Sequence, residues 1–398
     1  MKTLLWFQAK RISLSASLLL FIVLSISACS NNGGNTNTPT STAISSTGAG
    51  STPTASSTPQ LRLGTQACPD AVKNPNYWDP IVGTQSGVSK VARVTCANLI
   101  GQPSLQALIL VGYDGTGRIV DAYVYNNITK PGPTQLFKLQ GLYKGDALLS
   151  GYNTVITAEV DQASSLNKGQ PNASLTPDLF REFKWSDGAG TLVPVAFPGI
   201  YPDLTRYQAE TLQQQVNRGQ QPWRLSATQT SQSLAANLLK WSTSSPATIV
   251  SGGGLHDLNA VVSVKSTSAG GSTITVTLSR LEGNTNGGMW EATSVTSPGM
   301  TITSPQDRDR LTSPTTVTGK GSAFEGIIGK VVILDHLYTD IGHSNATGPS
   351  GNNAAFTTSV TYTSTFKTGS QEGLVALFSY SGASSAISGA VIVKEMLS

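Results

Sequence analysis

Charge and histidine are both scarce in this 398-residue chain. Asp, Glu, Lys and Arg make up 12% of it, and the formal net charge is +4. No block of Lys and Arg is present to neutralise a run of phosphates, so nucleic acid finds no support as a partner. Histidine occurs three times, at His256, His336 and His343. So few His and acidic residues count against hydrolytic acid–base chemistry. The many serines include no Gly-x-Ser-x-Gly elbow, and Gly252-Gly253-Gly254 lacks the Lys and Ser/Thr of a phosphate loop. Cys68 and Cys96 have no histidine nearby, which leaves too few ligands for zinc. His336 and His343 with Asp335 and Asp340 form the one tight polar cluster; it could ligate a cation, but is expected as solvated residues of a strand end and a Gly/Ser/Asn-rich loop. Asp114-Gly115 with Asp121 lacks the alternating acidic ligands of a calcium loop and reads as a turn. The expectation is a non-enzymatic protein without metal or cofactor.

What is abundant is Gly, Ser, Thr and Asn, a composition suited to strand-rich domains with many turns. The N-terminus differs. Lys2, Lys10 and Arg11 precede a mostly apolar run over residues 14–26, which ends in Ile26-Ser27-Ala28-Cys29. A short apolar segment behind positive charge and before small residues is an export signal rather than a spanning helix. The stretch resembles the lipobox of bacterial lipoproteins. That resemblance implies a signal peptide over 1–28, a diacylglycerol on the Cys29 thiol, and a second acylation, with a chain such as palmitate, at the new amino terminus. Each buried methylene adds ~0.8 kcal/mol of membrane affinity, so two or three chains anchor durably. Residues 30–60 contain no charge and almost nothing apolar. They cannot bury enough surface to offset ordering entropy, so 29–60 is expected to be a disordered linker.

Three folded regions are expected after it. The first, 61–202, is an α+β domain. In it 107–111 and 118–125 make a hairpin around Asp114-Gly115, and 136–151 and 153–161 add strands. Cys68 and Cys96 lie here. In an exported chain a disulfide between them is favoured over two free thiols. The second region, 203–297, is helix-then-sheet α+β. Asp203 is placed to cap a helix carrying Leu204, Tyr207, Gln208, Leu212 and Val216 on one face, with Gly219 beyond its end. Ser226 and Gln229 form a capping box for a second helix, on which Leu234, Leu238 and Trp241 share a face. The period then changes to two, giving strands over 249–254, 260–265, 272–281 and 289–295. Trp223, Trp241 and Trp290 are expected core anchors. The layout looks like the cystatin-like or nuclear-transport-factor-like cone, where a curved sheet wraps a helix.

The third region, 298–398, reads as an all-β sandwich, with 331–334 apolar on both faces of its strand. Ile302-Thr303-Ser304-Pro305, Leu311-Thr312-Ser313-Pro314, Val317-Thr318-Gly319 and Ala323-Phe324-Glu325-Gly326 resemble the bacterial spore-germination immunoglobulin-like domain. Ala355-Phe356 and Gly373-Leu374-Val375 fit its later strands. The resemblance implies an immunoglobulin-like sandwich in an envelope protein, with Phe324 as a core anchor and each Pro at a strand entry or edge. Residues 335–353 look like an overlong loop. The whole reads as a lipid-anchored extracytoplasmic protein of the cell membrane. Its role is non-catalytic binding or scaffolding, with an envelope protein or carbohydrate as partner. The rival readings are an extracytoplasmic hydrolase and a small-ligand carrier using the middle region.

Overall fold

The computed structural model describes residues 61–115, 117–267, 271–282, 287–366, 369–381 and 386–398. Cys29, the export-like segment and the linker lie outside the described residues. What is described belongs to one compact unit, Thr58–Ser398, and is mostly β, in four sheets.

Two short helices open it, α1 (Asp70–Lys73) and α2 (Pro75–Val82). The Asn74 side chain caps α2 by accepting from the Asn76 N–H, Pro75 takes the first turn, and left-handed Gly83 ends it. Four antiparallel strands follow in spatial order: β1 (Ser89–Ala97), β2 (Gln106–Tyr113), β3 (Val120–Asn126) and β4 (Thr134–Leu142). The β2–β3 hairpin turns at Asp114-Gly115, as the turn chemistry required. A second antiparallel sheet holds β5 (Asp146–Leu149), β6 (Val155–Glu159), β7 (Leu179–Ser186) and β8 (Thr191–Val195). Strands β2 and β3 are apolar on both faces because both faces are covered. Ile109, Val111, Tyr123 and Tyr125 pack under Val72 and Trp78 of α1–α2. Leu108, Leu110, Ala122 and Val124 pack on Leu149, Val155 and Phe183 of the second sheet.

Next come α3 (Arg206–Val216) and α4 (Ala227–Leu238). Thr205, not Asp203, caps α3 by accepting from the Gln208 N–H; Asp203 is drawn instead into an ion pair with Arg224. The helix therefore buries Ala209, Gln213 and Val216, a stripe set by Phe197 and Met289 across from it. Ser226 caps α4 through the Gln229 N–H, but its own N–H goes to the Trp223 carbonyl, so the reciprocal half of the box does not form. Leu234, Leu239 and Trp241 then cover β9 (Ala247–Gly252), β10 (Asn259–Lys265), β11 (Thr273–Ser279) and β12 (Glu291–Thr296). The expected period of two is present: Val262, Val264, Ile274, Val276 and Leu278 are buried under α4. Trp241 and Trp290 are buried there, while Trp223 is half-buried under the Arg224 guanidinium.

The last eight strands are β13 (Thr301–Ser304), β14 (Arg310–Leu311), β15 (Thr315–Ala323), β16 (Ile327–Leu334), β17 (Asp340–Thr347), β18 (Gly351–Val360), β19 (Gln371–Tyr380) and β20 (Ile387–Leu397). β13, β15 and β18 form a three-stranded sheet. The order β17-β16-β19-β20 runs on into β12-β11-β10-β9, with β14 beside β20, to make nine strands in one sheet. Val295 opposite Ile392 is the β12–β20 link. Side-chain parity explains the apolar runs of the central strands. Val331, Ile333, Val375, Leu377 and Val391 face the three-stranded sheet across one core. Val332, Leu334, Leu374, Ala376 and Ile392 face α4 and its surroundings across the other. Burying each such side chain contributes ~1.5–3 kcal/mol.

Two expectations fail here. Residues 335–353 are not one long loop: most are β17 and the start of β18, whose polar composition reflects an edge strand half in water. Phe324 is no core anchor; it is 76% exposed at the β15–β16 hairpin tip, where Glu325 and Gly326 take positive φ and Phe356 fills the core instead. The prolines behave as the fold requires, Pro305 directly after β13 and Pro314 directly before β15.

Candidate functional site

Polar residues that alternate with apolar ones along a strand ordinarily face water. In this chain many of them are buried where the sheets meet. Arg206, at the start of α3, lies 2.7 Å from Glu182 of β7 and 2.6 Å from Glu282, with its guanidinium over the Tyr152 ring. Glu210 accepts from the Gly151 N–H at 2.7 Å beside them. Burial pushes the Glu282 carboxyl up to about 8; Arg206 pulls it down, and Glu210 and Glu182 push it further up. Burial would lower the Arg206 pKa, but the surrounding carboxylates outweigh it and hold the guanidinium above its ordinary value.

A second pair sits on the central strands. Lys394 of β20 reaches Glu372 of β19 at 2.9 Å, both fully buried. Its ammonium also donates to the carbonyls of Gly199 and Leu204, and the Phe197 N–H donates to the same Glu372 oxygen at 2.8 Å. Burial lowers the Lys394 pKa and raises that of Glu372 to about 7, each opposed by its partner. Arg224 is enclosed by Asp203 and Glu291, the latter pushed well above the carboxylate range by burial and by Asp203. Arg181 and Glu159 pair in the same manner between β7 and β6.

The closest approach to a catalytic constellation is Ser164, Asp178 and His336. The Ser164 hydroxyl donates to Asp178, whose other oxygen accepts from the Asp161 N–H at 2.8 Å. His336 Nε2 stands 3.9 Å from Asp178 Oδ2. A triad needs the imidazole between the hydroxyl and the carboxylate, so that it can take the hydroxyl proton. Here the carboxylate is in the middle, and all three side chains are buried. His336 is thus not the solvated residue that its sequence setting implied, and it is separated in role from His343. The latter lies in β17 rather than in a loop, exposed, with Nδ1 2.9 Å from Asp340. Among the described residues no three His, Cys, Asp or Glu side chains are grouped to hold a metal ion.

The other sequence candidates resolve simply. Cys68 and Cys96 are joined in a disulfide, buried against Trp78. Asp121 accepts from the hydroxyls of Tyr113 and Tyr123, the Gln140 amide and the Gly141 N–H, so its oxygens are committed inside the protein. Sequence reasoning passed over Arg206, Glu372, Lys394 and Asp178. Their only signal was a charged residue within a strand, just before one, or at a helix start, the same signal a solvent-facing position gives. No protein-family model matches the chain, and no curated protein matches it either.

Proposed function

We propose that this protein is an exported lipoprotein, held to the extracytoplasmic face of the cell membrane by acyl chains on Cys29, with a non-catalytic binding or scaffolding role at the envelope. The observation that carries the reading is the Cys68–Cys96 disulfide. It suits a thiol-poor compartment, and it leaves Cys29, at the end of the export-like segment, as the third cysteine of the chain. The face-to-face packing of β13-β15-β18 on β16-β19-β20 supports an immunoglobulin-like module at the C-terminal end. The helix-then-sheet arrangement of α4 with β9–β12 supports a cone-like α+β region before it. That region argues against a carrier: Leu234, Trp241, Val276 and Trp290 fill the space between helix and sheet that a cup would keep open. Against a hydrolase stands the enclosure of Ser164, Asp178 and His336, which offers a substrate no nucleophile.

The test is metabolic labelling with a radioactive or clickable fatty-acid precursor, comparing the natural chain with Cys29→Ala. Label on the natural chain and none on the variant is expected. Equal labelling of the two would end the anchor proposal.

A further inference from the structure

We infer that β9 is a self-association edge, at which two copies of this chain pair antiparallel about a two-fold axis and continue the nine-stranded sheet from one copy into the other. This goes beyond the anchoring role, and it rests on different residues.

β9 ends its sheet: among the described residues β10 is its one strand partner. Every residue from Thr248 to Gly252 is exposed. An exposed edge presents unpaired N–H and C=O groups and is normally blunted by charge, by proline or by a bulge. This edge carries no such charge. From Lys240 to Asp257 the sequence holds no other Asp, Glu, Lys or Arg. Pro246 stands before the strand, not within it. A bulge is present, since Val261 lies opposite Ser251 and Val262 opposite Ile249, which leaves Val250 as the extra residue. It turns outward an apolar side chain, not a repelling one.

Four of the fourteen exposed large hydrophobic residues among the described residues fall at this place. Ile249 is 44% exposed and Val250 63%, and in the loop that follows Leu255 is 61% and Leu258 51% exposed. Four such side chains leave on the order of 400 Å² of apolar surface open, a size at which a monomer's patch is commonly functional. A short β-branched strand without charge is also the composition that aggregates when nothing covers it.

The occupant follows from the edge itself. What pairs with a strand edge is another extended strand, and an uncharged, β-branched one is matched by its own copy. The flanking charges fix the sense of pairing. Lys265 lies beside the N-terminal end of β9, where its N–H donates to the Pro246 carbonyl. Asp257 lies beside the other end, exposed, where its carboxylate accepts from the Gly254 N–H at 2.8 Å, while the Arg280 guanidinium on the Asp257 and Gly254 carbonyls is buried behind it. Antiparallel pairing brings the Lys265 end of one copy to the Asp257 end of the other, at both ends; parallel pairing would set like against like. Patch and edge backbone from two copies would together bury on the order of 1,000 Å², the lower limit for a specific interface, so the dimer is weak and reversible.

The test is a cysteine scan of the full-length chain in membranes of producing cells. Ile249→Cys, Val250→Cys and Ser251→Cys are compared with Ser350→Cys, an exposed position in the β17–β18 turn. Disulfide-linked dimers at least tenfold above the Ser350→Cys control are expected at one or more of the three positions, strongest nearest the axis. Adding Val250→Lys to the best of the other two should abolish them. Dimers no more abundant than the control would overturn the inference, as would dimers that survive Val250→Lys. Cross-linking to a different protein would assign the edge to another partner and equally overturn it. The lipid label at Cys29 is read separately, so failure of the anchor and failure of the dimer are told apart.

Discussion

Replacing Glu395 by glutamine should stabilise this protein, and more so as pH rises. Glu395 lies on β20 with no solvent exposure, and neither of its oxygens has a hydrogen-bond partner among the described residues. It sits opposite Gly373, on the face of β19 that also carries Gln371, whose amide atoms are likewise buried without partners. Burial pushes its carboxyl from 4.5 up to about 9, helped by the Asp309 and Asp307 carboxylates and opposed by the Asp309 backbone N–H and by Lys394. The native chain thus holds a proton that the unfolded chain releases above about pH 4.5. Between those two values folding takes up a proton, so stability falls as pH rises, by ~1.4 kcal/mol per pH unit. At pH 7 the accumulated loss is about 3 kcal/mol. Glutamine has the same shape and no proton to lose. Glu395→Gln should therefore be close to neutral near pH 5, gain about 3 kcal/mol at pH 7, and gain more at pH 8.5. Urea unfolding followed by tryptophan fluorescence at the three pH values reads this, because titrating groups distant from Glu395 cancel in the difference. A gain that does not grow with pH, or a loss at pH 8.5, would refute the reasoning.

Three further outcomes follow from the same packing. Lys394→Met should lose ~3–5 kcal/mol in urea titrations by stranding buried Glu372, and adding Glu372→Gln should recover most of it. Replacing Cys68 and Cys96 by alanine should cost about 3–4 kcal/mol of unfolding free energy by the loop-entropy model, since the bond spans 28 residues; a loss of unfolding free energy below a quarter of that in urea titrations would contradict it. Phe324→Ala should stay within about 0.5 kcal/mol of the parent, while Phe356→Ala should lose ~3–5 kcal/mol, and thermal melts distinguish the two.

Local chemistry alone was enough for much of the architecture. Asp114-Gly115 dictates the β2–β3 turn, Ser226 caps α4, and alternation at Ile274, Val276 and Leu278 marks a strand covered on one face. The run Val331-Val332-Ile333-Leu334 already announced a strand covered on both. The Cys68–Cys96 pairing was legible too, because the chain after residue 60 holds two cysteines and so one possible pair. Each of these is a property of neighbours in sequence, or of a residue count.

Tertiary structure decided the rest. Thr205 displaced Asp203 as the α3 cap because Arg224, distant in sequence, claims the Asp203 carboxylate. Phe324 left the core because the hairpin turns at Glu325-Gly326, one residue past it. His336, Asp178, Lys394 and Glu372 look like surface residues in the sequence, and only packing against segments distant in the chain buries them. A periodic pattern reports which face of an element is apolar. What covers the opposite face depends on partners tens or hundreds of residues away, and burial, which sets the charge states of these groups, is fixed by those partners.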